Sequence, residues 1–189
     1  MKVLFVNACP RPRGKSRTLE LCDEFLKDLD DADVIERNIF AEGLLPYTEA
    51  DTERRDELIA KGDTSSFTLA REFAEAELVV IGAPYWDMSF PAALKVYVEH
   101  ICVNGVNFIY TETGAKGLAK AKSVVYITTA GGFIGENDFG SDYMRGIGRF
   151  FGIEGFIRIA AEGLDIEGFD VAGAMDRAKS EAARAAESI

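Results

Sequence analysis

The sequence predicts a doubly wound α/β fold, in which five parallel strands form one sheet with helices on both faces. Short apolar runs alternate along the chain with segments whose apolar residues recur at helical spacing. Several of these runs stop at glycine or proline, as strands do where the chain turns away from a sheet. The 189 residues contain no repeat or linker, so we expect one domain spanning residues 1–189.

The five predicted strands follow from apolar runs without a helical period. They are Val3–Val6, Asp33–Ile39, Leu78–Ile81, Ser123–Thr128 and Phe156–Ala161. Continuous apolar runs such as Val3–Val6 and Leu78–Ile81 are typical of strands that helices cover on both faces, as in parallel sheets.

The helices are predicted from apolar residues that fall on one face. The segments are Leu19–Leu29, Phe67–Ala76, the stretch after Pro91 that carries Leu94 and Ile101, Tyr143–Phe151 and Phe169–Ser188. The highly charged stretch from Ala41 to Ser66 is expected to be a loop with a solvated helix around Arg54–Lys61.

Composition excludes several classes of function. The 21 basic and 32 acidic residues give a net charge of −11, which argues against a general nucleic-acid binder. No apolar run reaches the roughly 20 residues that a membrane helix needs. Cys9, Cys22 and Cys102 have neither metal-ligand spacing nor an even disulfide framework. We therefore expect reduced thiols, no bound metal and a cytoplasmic protein.

In a doubly wound sheet, ligands bind beyond the carboxyl ends of the strands, where the strand order reverses. Three loops follow such ends, namely Asn7–Arg17, Ala83–Phe90 and Thr128–Asp138. These loops are the places to look for chemistry.

The first loop is a candidate phosphate site. Arg11, Arg13, Lys15 and Arg17 place four cations before a helix N-terminus, which already carries partial positive charge. An anion held by free N–H groups and by hydroxyls would offset them. The alternative is that Ser16 only caps the helix while the cations lie in water or pair with acidic residues. Neither the P-loop pattern nor the G-x-G-x-x-G fingerprint is complete here, which favours a single phosphate.

The second and third loops are candidates for contact with a flat ring. The second carries Tyr85, Trp86 and Met88, whose aromatic and thioether groups pack well against ring systems. The third contains Gly131 and Gly132, which allow close approach of the backbone to a ligand. Ordinary core packing and a purely conformational turn are the alternatives.

On these residues the chain resembles the FMN-dependent NAD(P)H:quinone oxidoreductases and azoreductases, whose fold is flavodoxin-like. The matching segments occur in the family's order and are Lys2–Val6, Ser16–Thr18, Ala83–Met88, Leu94–Tyr97, Gly105–Gly114, Gly117–Leu118, Ile127–Gly132 and Ala161–Gly163. The resemblance implies a flavodoxin-like five-stranded parallel sheet of order 2-1-3-4-5, with helices on both faces.

The resemblance also implies that these loops hold FMN, with the phosphate at Ser16–Thr18. With the neighbouring loop residues, the candidate cofactor-binding residues are Cys9, Arg11, Ser16, Arg17, Thr18, Pro84, Tyr85, Trp86, Asp87, Met88, Thr129, Ala130, Gly131 and Gly132. Two positions depart from the family pattern. Asp87 stands where members often have asparagine, and Ala130 stands where some relatives have arginine.

The activity implied by the resemblance passes a hydride from NADH or NADPH through the flavin to a quinone, azo compound or similar small aromatic acceptor, in a ping-pong mechanism. The flavin carries this chemistry, so no catalytic side chain is expected. Phe108, Tyr110 and Phe133 are candidate substrate contacts, with core or dimer packing as the alternative. A homodimer is implied as well, since relatives share the active site between subunits.

Two other functions stay open at this point. One is an FMN electron-transfer protein that serves protein partners without nicotinamide turnover of its own, and the acidic charge allows this. The other is a flavin-free binding module with the same fold. The long excursion at Gly105–Gly114 favours the enzyme, because a bare carrier has less need of a substrate lid.

Overall fold

The predicted alternation of five sheet strands with helices is present in the computed structural model, which describes all residues from Met1 to Ile189. The strands are β1 Lys2–Asn7, β2 Asp33–Asn38, β3 Leu78–Gly82, β4 Phe108–Thr111, β5 Gly114–Gly117, β6 Ser123–Thr129 and β7 Gly155–Ala161. The helices are α1 Arg17–Lys27, α2 Glu49–Ala60, α3 Thr68–Glu75, α4 Ala92–Ile101, α5 Phe139–Phe150 and α6 Val171–Glu187.

Five of the strands form a parallel sheet in the order β2-β1-β3-β6-β7. Counted along the sheet strands alone, this is the predicted order 2-1-3-4-5, and the fold prediction is confirmed. The register aligns the carboxyl ends: Asn7 lies opposite Gly82, Gly82 opposite Ile127, and Thr129 opposite Ala161. The order reverses between β1 and β3, so the loops after these strands open at the switch point.

The apolar runs are covered on both faces, as expected for parallel strands. In β1, Val3 and Phe5 enter the layer beneath α1 and α6, whereas Leu4 and Val6 enter the layer beneath α3, α4 and α5. The two edge strands are less covered, because Val34 and Ile35 of β2 are about two-fifths exposed and most residues of β7 are half-buried. No helix is long and apolar enough to cross a membrane.

Two helices begin earlier than periodicity predicts, because side-chain caps determine their starts. The charged helix α2 begins at Glu49 rather than near Arg54, since Thr48 and Asp51 form a reciprocal capping box. Helix α5 begins at Phe139 rather than Tyr143, because the Asp138 carboxylate accepts a hydrogen bond from the Ser141 N–H. Helix α2 buries none of its residues, in agreement with its predicted solvated character.

The antiparallel hairpin formed by β4 and β5 was not predicted. It falls within and just after the Gly105–Gly114 excursion, between α4 and β6. The buried Asn107 side chain attaches the hairpin to the rest of the domain by donating hydrogen bonds to the Ala70 and Ile101 carbonyl oxygens. Strand β5 carries no large apolar residue and is mostly exposed, so its sequence has no period to detect.

Candidate functional site

A cleft of about 270 Å³ lies at the carboxyl edge of the sheet, at the switch point between β1 and β3. Its lining comes from the loops after β1, β3, β6 and β7. The lining residues are Pro10, Arg11, Lys15, Ser16, Arg17, Thr18, Pro84, Tyr85, Trp86, Thr129, Gly131 and Asp165. All three predicted loops therefore meet in one cavity.

The first loop ends at the N-terminus of α1, which Ser16 caps. The Ser16 hydroxyl accepts a hydrogen bond from the Leu19 N–H at 3.2 Å. The N–H groups of Arg17 and Thr18 have no intrahelical acceptor, since they belong to the first turn. The helix dipole adds partial positive charge at the same place. This end of the cleft suits an anion such as a phosphate.

The four cations of this loop divide into two kinds. Arg13 forms hydrogen-bonded ion pairs with Asp23 and Glu36, which fulfils the alternative expectation for that residue. Arg17 donates to the Leu164 carbonyl oxygen at 2.7 Å and to the Asp165 carboxylate at 2.8 Å. Arg11 and Lys15 form no ion pair. Two cleft-lining cations are thus free to meet an anionic ligand.

The second loop makes a tight turn with a strained backbone. Trp86 and Ser89 exchange both backbone hydrogen bonds, at 3.1 and 2.8 Å, around Asp87 and Met88. These two central residues have φ values of 51° and 65°, the left-handed pair that defines a type I′ turn. Aspartate and asparagine both tolerate this conformation, which explains why Asp87 can stand in place of asparagine. A methionine there is strained.

The third loop is fastened to both neighbouring loops. The Thr129 hydroxyl lies 2.6 Å from the Thr18 hydroxyl, and the Thr129 carbonyl oxygen accepts from the Tyr85 N–H at 2.9 Å. The Tyr85 hydroxyl donates to the Asn137 carbonyl oxygen at 2.9 Å. Gly131 and Gly132 make no backbone hydrogen bond through their N–H groups. Those N–H groups remain available to a ligand.

The structure brings most of the candidate cofactor-binding residues into the cleft, but not all. Nine of them line it: Arg11, Ser16, Arg17, Thr18, Pro84, Tyr85, Trp86, Thr129 and Gly131. The other five do not: Cys9, Asp87, Met88, Ala130 and Gly132. Cys9 and Ala130 are buried behind the wall, and Asp87 and Met88 form the exposed tip of the turn.

The candidate substrate contacts do not line the cleft of their own chain, and two of them, Phe108 and Tyr110, lie on the hairpin. Phe108 is buried against Phe150, with ring centroids 4.6 Å apart, and Tyr110 packs on Phe108 from outside. This hairpin lies beside the last turn of α5, which runs away from the cleft. Phe133 is 65% exposed on the third loop and packs edge-on against Phe169.

Sequence reasoning missed Asp165, which follows β7. Its N–H donates to the Gly131 carbonyl oxygen at 2.9 Å, and its carboxylate pairs with Arg17. A Cβ added at Gly131 would lie only 2.3 Å from the Asp165 carboxylate, so the glycine leaves room for this side chain. Asp165 could have been predicted, because the loop after the fifth sheet strand reaches the same edge of the sheet as the other three loops.

Cys9 lies beneath the cleft and is not a reactive thiolate. Burial raises the pKa of the Cys9 thiol to about 11, although hydrogen bonds with Ser16 and Thr18 oppose the shift. The thiol is therefore neutral at physiological pH, and its position fits a packing role under the first loop.

We expect Cys9 to make stability pH-dependent in the alkaline range. The raised pKa of the folded thiol stabilises the protein below the unfolded value near 9, and this contribution is lost as pH rises through about 11. Between pH 8 and pH 10.5 the stability advantage of the wild type over Cys9→Ser should fall by about 2 kcal/mol. Urea unfolding of both proteins at the two pH values measures it. A constant difference would contradict the burial of this thiol.

The comparisons with known proteins agree with this geometry. A family profile described as having the flavodoxin-like fold matches residues 1–186. The FMN-dependent NADH:quinone oxidoreductase 2 of Clostridium acetobutylicum is 38% identical over 96% of this chain and 98% of its own length. The FMN-dependent NADH:quinone oxidoreductase of Clostridium beijerinckii is 37% identical with the same coverage.

A solved structure shows the same likeness in three dimensions. The azoreductase of Bacillus anthracis strain Sterne has a TM-score of 0.85 and is 26% identical, covering 100% of this chain and 99% of its own. The chain therefore belongs to the flavodoxin-like family that includes the FMN-dependent NADH:quinone oxidoreductases and azoreductases.

Proposed function

We propose that this protein is an FMN-dependent oxidoreductase that passes a hydride from NADH or NADPH to a quinone, azo compound or similar small aromatic acceptor. The observation that carries the proposal is the switch-point cleft, where two unpaired cations lie beside the Ser16-capped N-terminus of α1, and the second and third loops complete the lining. The names of relatives that align along nearly the whole chain support it.

The residues of the cleft fit FMN at its phosphate end. Arg11 and Lys15 supply charge, and the first-turn N–H groups of α1 supply donors. The cleft contains three cations and one carboxylate, Asp165, in a chain whose net charge is −11. Such local positive charge in an acidic protein supports the assignment of a phosphate there.

The residues also fit the ring end of FMN. Pro84, Tyr85 and Trp86 line the cleft on one side, and Gly131 lines it on the other. FMN bound there would supply the hydride-transfer chemistry between the nicotinamide and the acceptor. The chain's own part is to orient the ring between the two loops. The N–H groups of Gly131 and Gly132 would stabilise negative charge that develops on it.

We further propose a homodimer. Trp86 and Met88 on the second loop and Phe133 on the third are large apolar side chains that are 47%, 46% and 65% exposed. Apolar patches of this kind mark interaction surfaces. Phe108 and Tyr110 are remote from the cleft of their own chain, so a role in the acceptor pocket would require the hairpin of a second copy. Light scattering measures the oligomeric state.

We also propose a cytoplasmic location and a single domain. The three cysteines are free thiols, which fits the reducing cytoplasm. The continuous five-stranded sheet supports a single domain over residues 1–189.

One experiment tests the activity. The purified protein is loaded with FMN, and NADH or NADPH is added without oxygen, followed by a quinone. We expect the yellow absorbance to bleach with a nicotinamide and to return with the quinone. A protein that takes up no FMN contradicts the proposal. A yellow protein that neither nicotinamide bleaches is the electron-transfer protein instead.

A further inference from the structure

Residues 130–138 of the third loop contribute Gly131 to the cleft, and the two halves of this stretch are held in different ways. Backbone hydrogen bonds join the first residues of this stretch to the loop after β7. The Ala130 N–H donates to Ala161, the Gly163 N–H to Gly132 and the Leu164 N–H to Ala130, at 2.9 to 3.1 Å. Residues 133–138 have only one backbone hydrogen bond among themselves, from Asn137 to Ile134 at 3.4 Å. Side chains must therefore determine the position of this second half.

One arginine connects both ends of that half. Arg158, on β7, donates from Nε to an Asp138 carboxylate oxygen at 2.6 Å and from Nη2 to a Glu162 carboxylate oxygen at 2.9 Å. Its side chain is 31% exposed, and those of Asp138 and Glu162 are 16% and 27% exposed. Ion pairs that are this shielded from solvent are stronger than ordinary surface pairs.

Each carboxylate uses its second oxygen to hold the loop backbone. The other oxygen of Glu162 accepts from the Ile134 N–H at 3.0 Å. The other oxygen of Asp138 accepts from the Ser141 N–H at 2.9 Å and so caps α5. Arg158 thus holds the beginning and the end of the 133–138 segment through two acids that would otherwise repel each other.

We propose that Arg158 is a positioning residue that fixes residues 133–138, acting through Asp138 and Glu162 without touching the ligand. This segment in turn holds the cleft-lining Tyr85, whose hydroxyl donates to the Asn137 carbonyl oxygen. The inference rests on the proposed function for the identity of the ligand, but not for the fixing of the segment. An arginine is required because its planar head directs Nε and Nη2 to two separate carboxylates. A lysine has a single ammonium and cannot hold both in the same geometry.

The test compares Arg158→Met with a matched control, Arg37→Met. Arg37 on β2 is 29% exposed and also bridges two acids, Glu72 and Glu42, but it lies outside the cleft. Amide hydrogen exchange is measured on the ligand-free proteins, and the dissociation constants of FMN and riboflavin are measured by fluorescence titration. A third variant, Arg158→Lys, tests the need for two donors.

Both methionine variants should lower the melting temperature. Only Arg158→Met should speed exchange of the two hydrogen-bonded amides in residues 133–138, those of Ile134 and Asn137, by about tenfold or more, because only this segment loses its anchor. Arg158→Met should also weaken FMN and riboflavin equally, by about tenfold, since the phosphate end is untouched. Arg158→Lys should restore part of both losses.

Exchange in 133–138 that is the same for Arg158→Met and Arg37→Met would overturn the proposal. So would faster exchange with flavin affinities within twofold of the wild type, because the segment would then not serve the ring. A wild-type protein that binds no FMN contradicts the proposed function separately, and the exchange comparison still decides whether Arg158 fixes the segment.

Discussion

Replacing Arg11 and Lys15 together with methionine is expected to weaken FMN binding roughly 30- to 100-fold while leaving riboflavin binding within about twofold. Each of the two cations lines the anion end of the cleft without an acidic partner. A charge-assisted contact at a partly exposed site contributes roughly 1 to 1.5 kcal/mol, so two such contacts account for the expected loss. Arg17 is left intact, because its guanidinium already holds Leu164 and Asp165.

Riboflavin is the internal control of this experiment, since it lacks only the phosphate. Titrations of the ligand-free protein can be followed by quenching of flavin fluorescence or of Trp86, the single tryptophan. A variant carrying Lys61→Met and Lys116→Met has the same net charge, −13 instead of −11, and changes only cations that lie outside the cleft. If the Arg11 and Lys15 variant lost affinity equally for FMN and riboflavin, the phosphate assignment would be refuted. If the control variant lost as much FMN affinity as the Arg11 and Lys15 variant, the loss would be a long-range effect of charge.

Replacing Gly117 with alanine is expected to destabilise the protein by about 3 kcal/mol or more. The added Cβ would lie 2.0 Å from the Phe151 carbonyl carbon and 2.0 Å from the Gly152 nitrogen. Both are backbone atoms at the end of α5, where the Ala119 N–H also donates to the Phe151 carbonyl oxygen at 3.0 Å. Neither atom can move without displacing the hairpin from the helix, so the overlap cannot be relieved by a change of rotamer.

Gly146→Ala is the matched control for this variant. Gly146 is exposed in the interior of α5, and a Cβ there meets no atom within 4 Å. Alanine should therefore stabilise the protein by about 0.5 to 1 kcal/mol through helix propensity. Urea unfolding compares both variants with the wild type. A Gly117→Ala protein within 1 kcal/mol of the wild type would mean that the hairpin does not pack on the end of α5.

The elements that could be predicted from the sequence are those with a strong local signal. Leu78–Gly82 is apolar throughout, because both faces of β3 are buried, and it was predicted to within one residue. The starts of α2 and α5 were placed too late, because a single capping side chain outweighs apolar periodicity. Strand β5 was missed because its residues form a strand only through pairing with β4.

Some features of the candidate site could likewise be predicted from the sequence, and others could not. Three cleft loops were predictable because parallel strands bring their carboxyl ends to one edge, whatever lies between them. The partners of the cations were not predictable. Arg17 and Asp165 are 148 residues apart in sequence, and no local rule connects them. The conformation of Asp87 likewise depends on the exchange of hydrogen bonds between Trp86 and Ser89.

The sequence by itself determined the order of the five sheet strands and the helices between them, three loops that line the cleft and the excess of cations before α1, because each depends on residues that are close in the chain. Only the tertiary structure decided that Arg13 and Arg17 are already paired while Arg11 and Lys15 are free. Only it placed Asp165 in the cleft and made Arg158 the anchor of the third loop. Charges pair by distance in space, and that distance exists only once the sheet has brought its strand ends together.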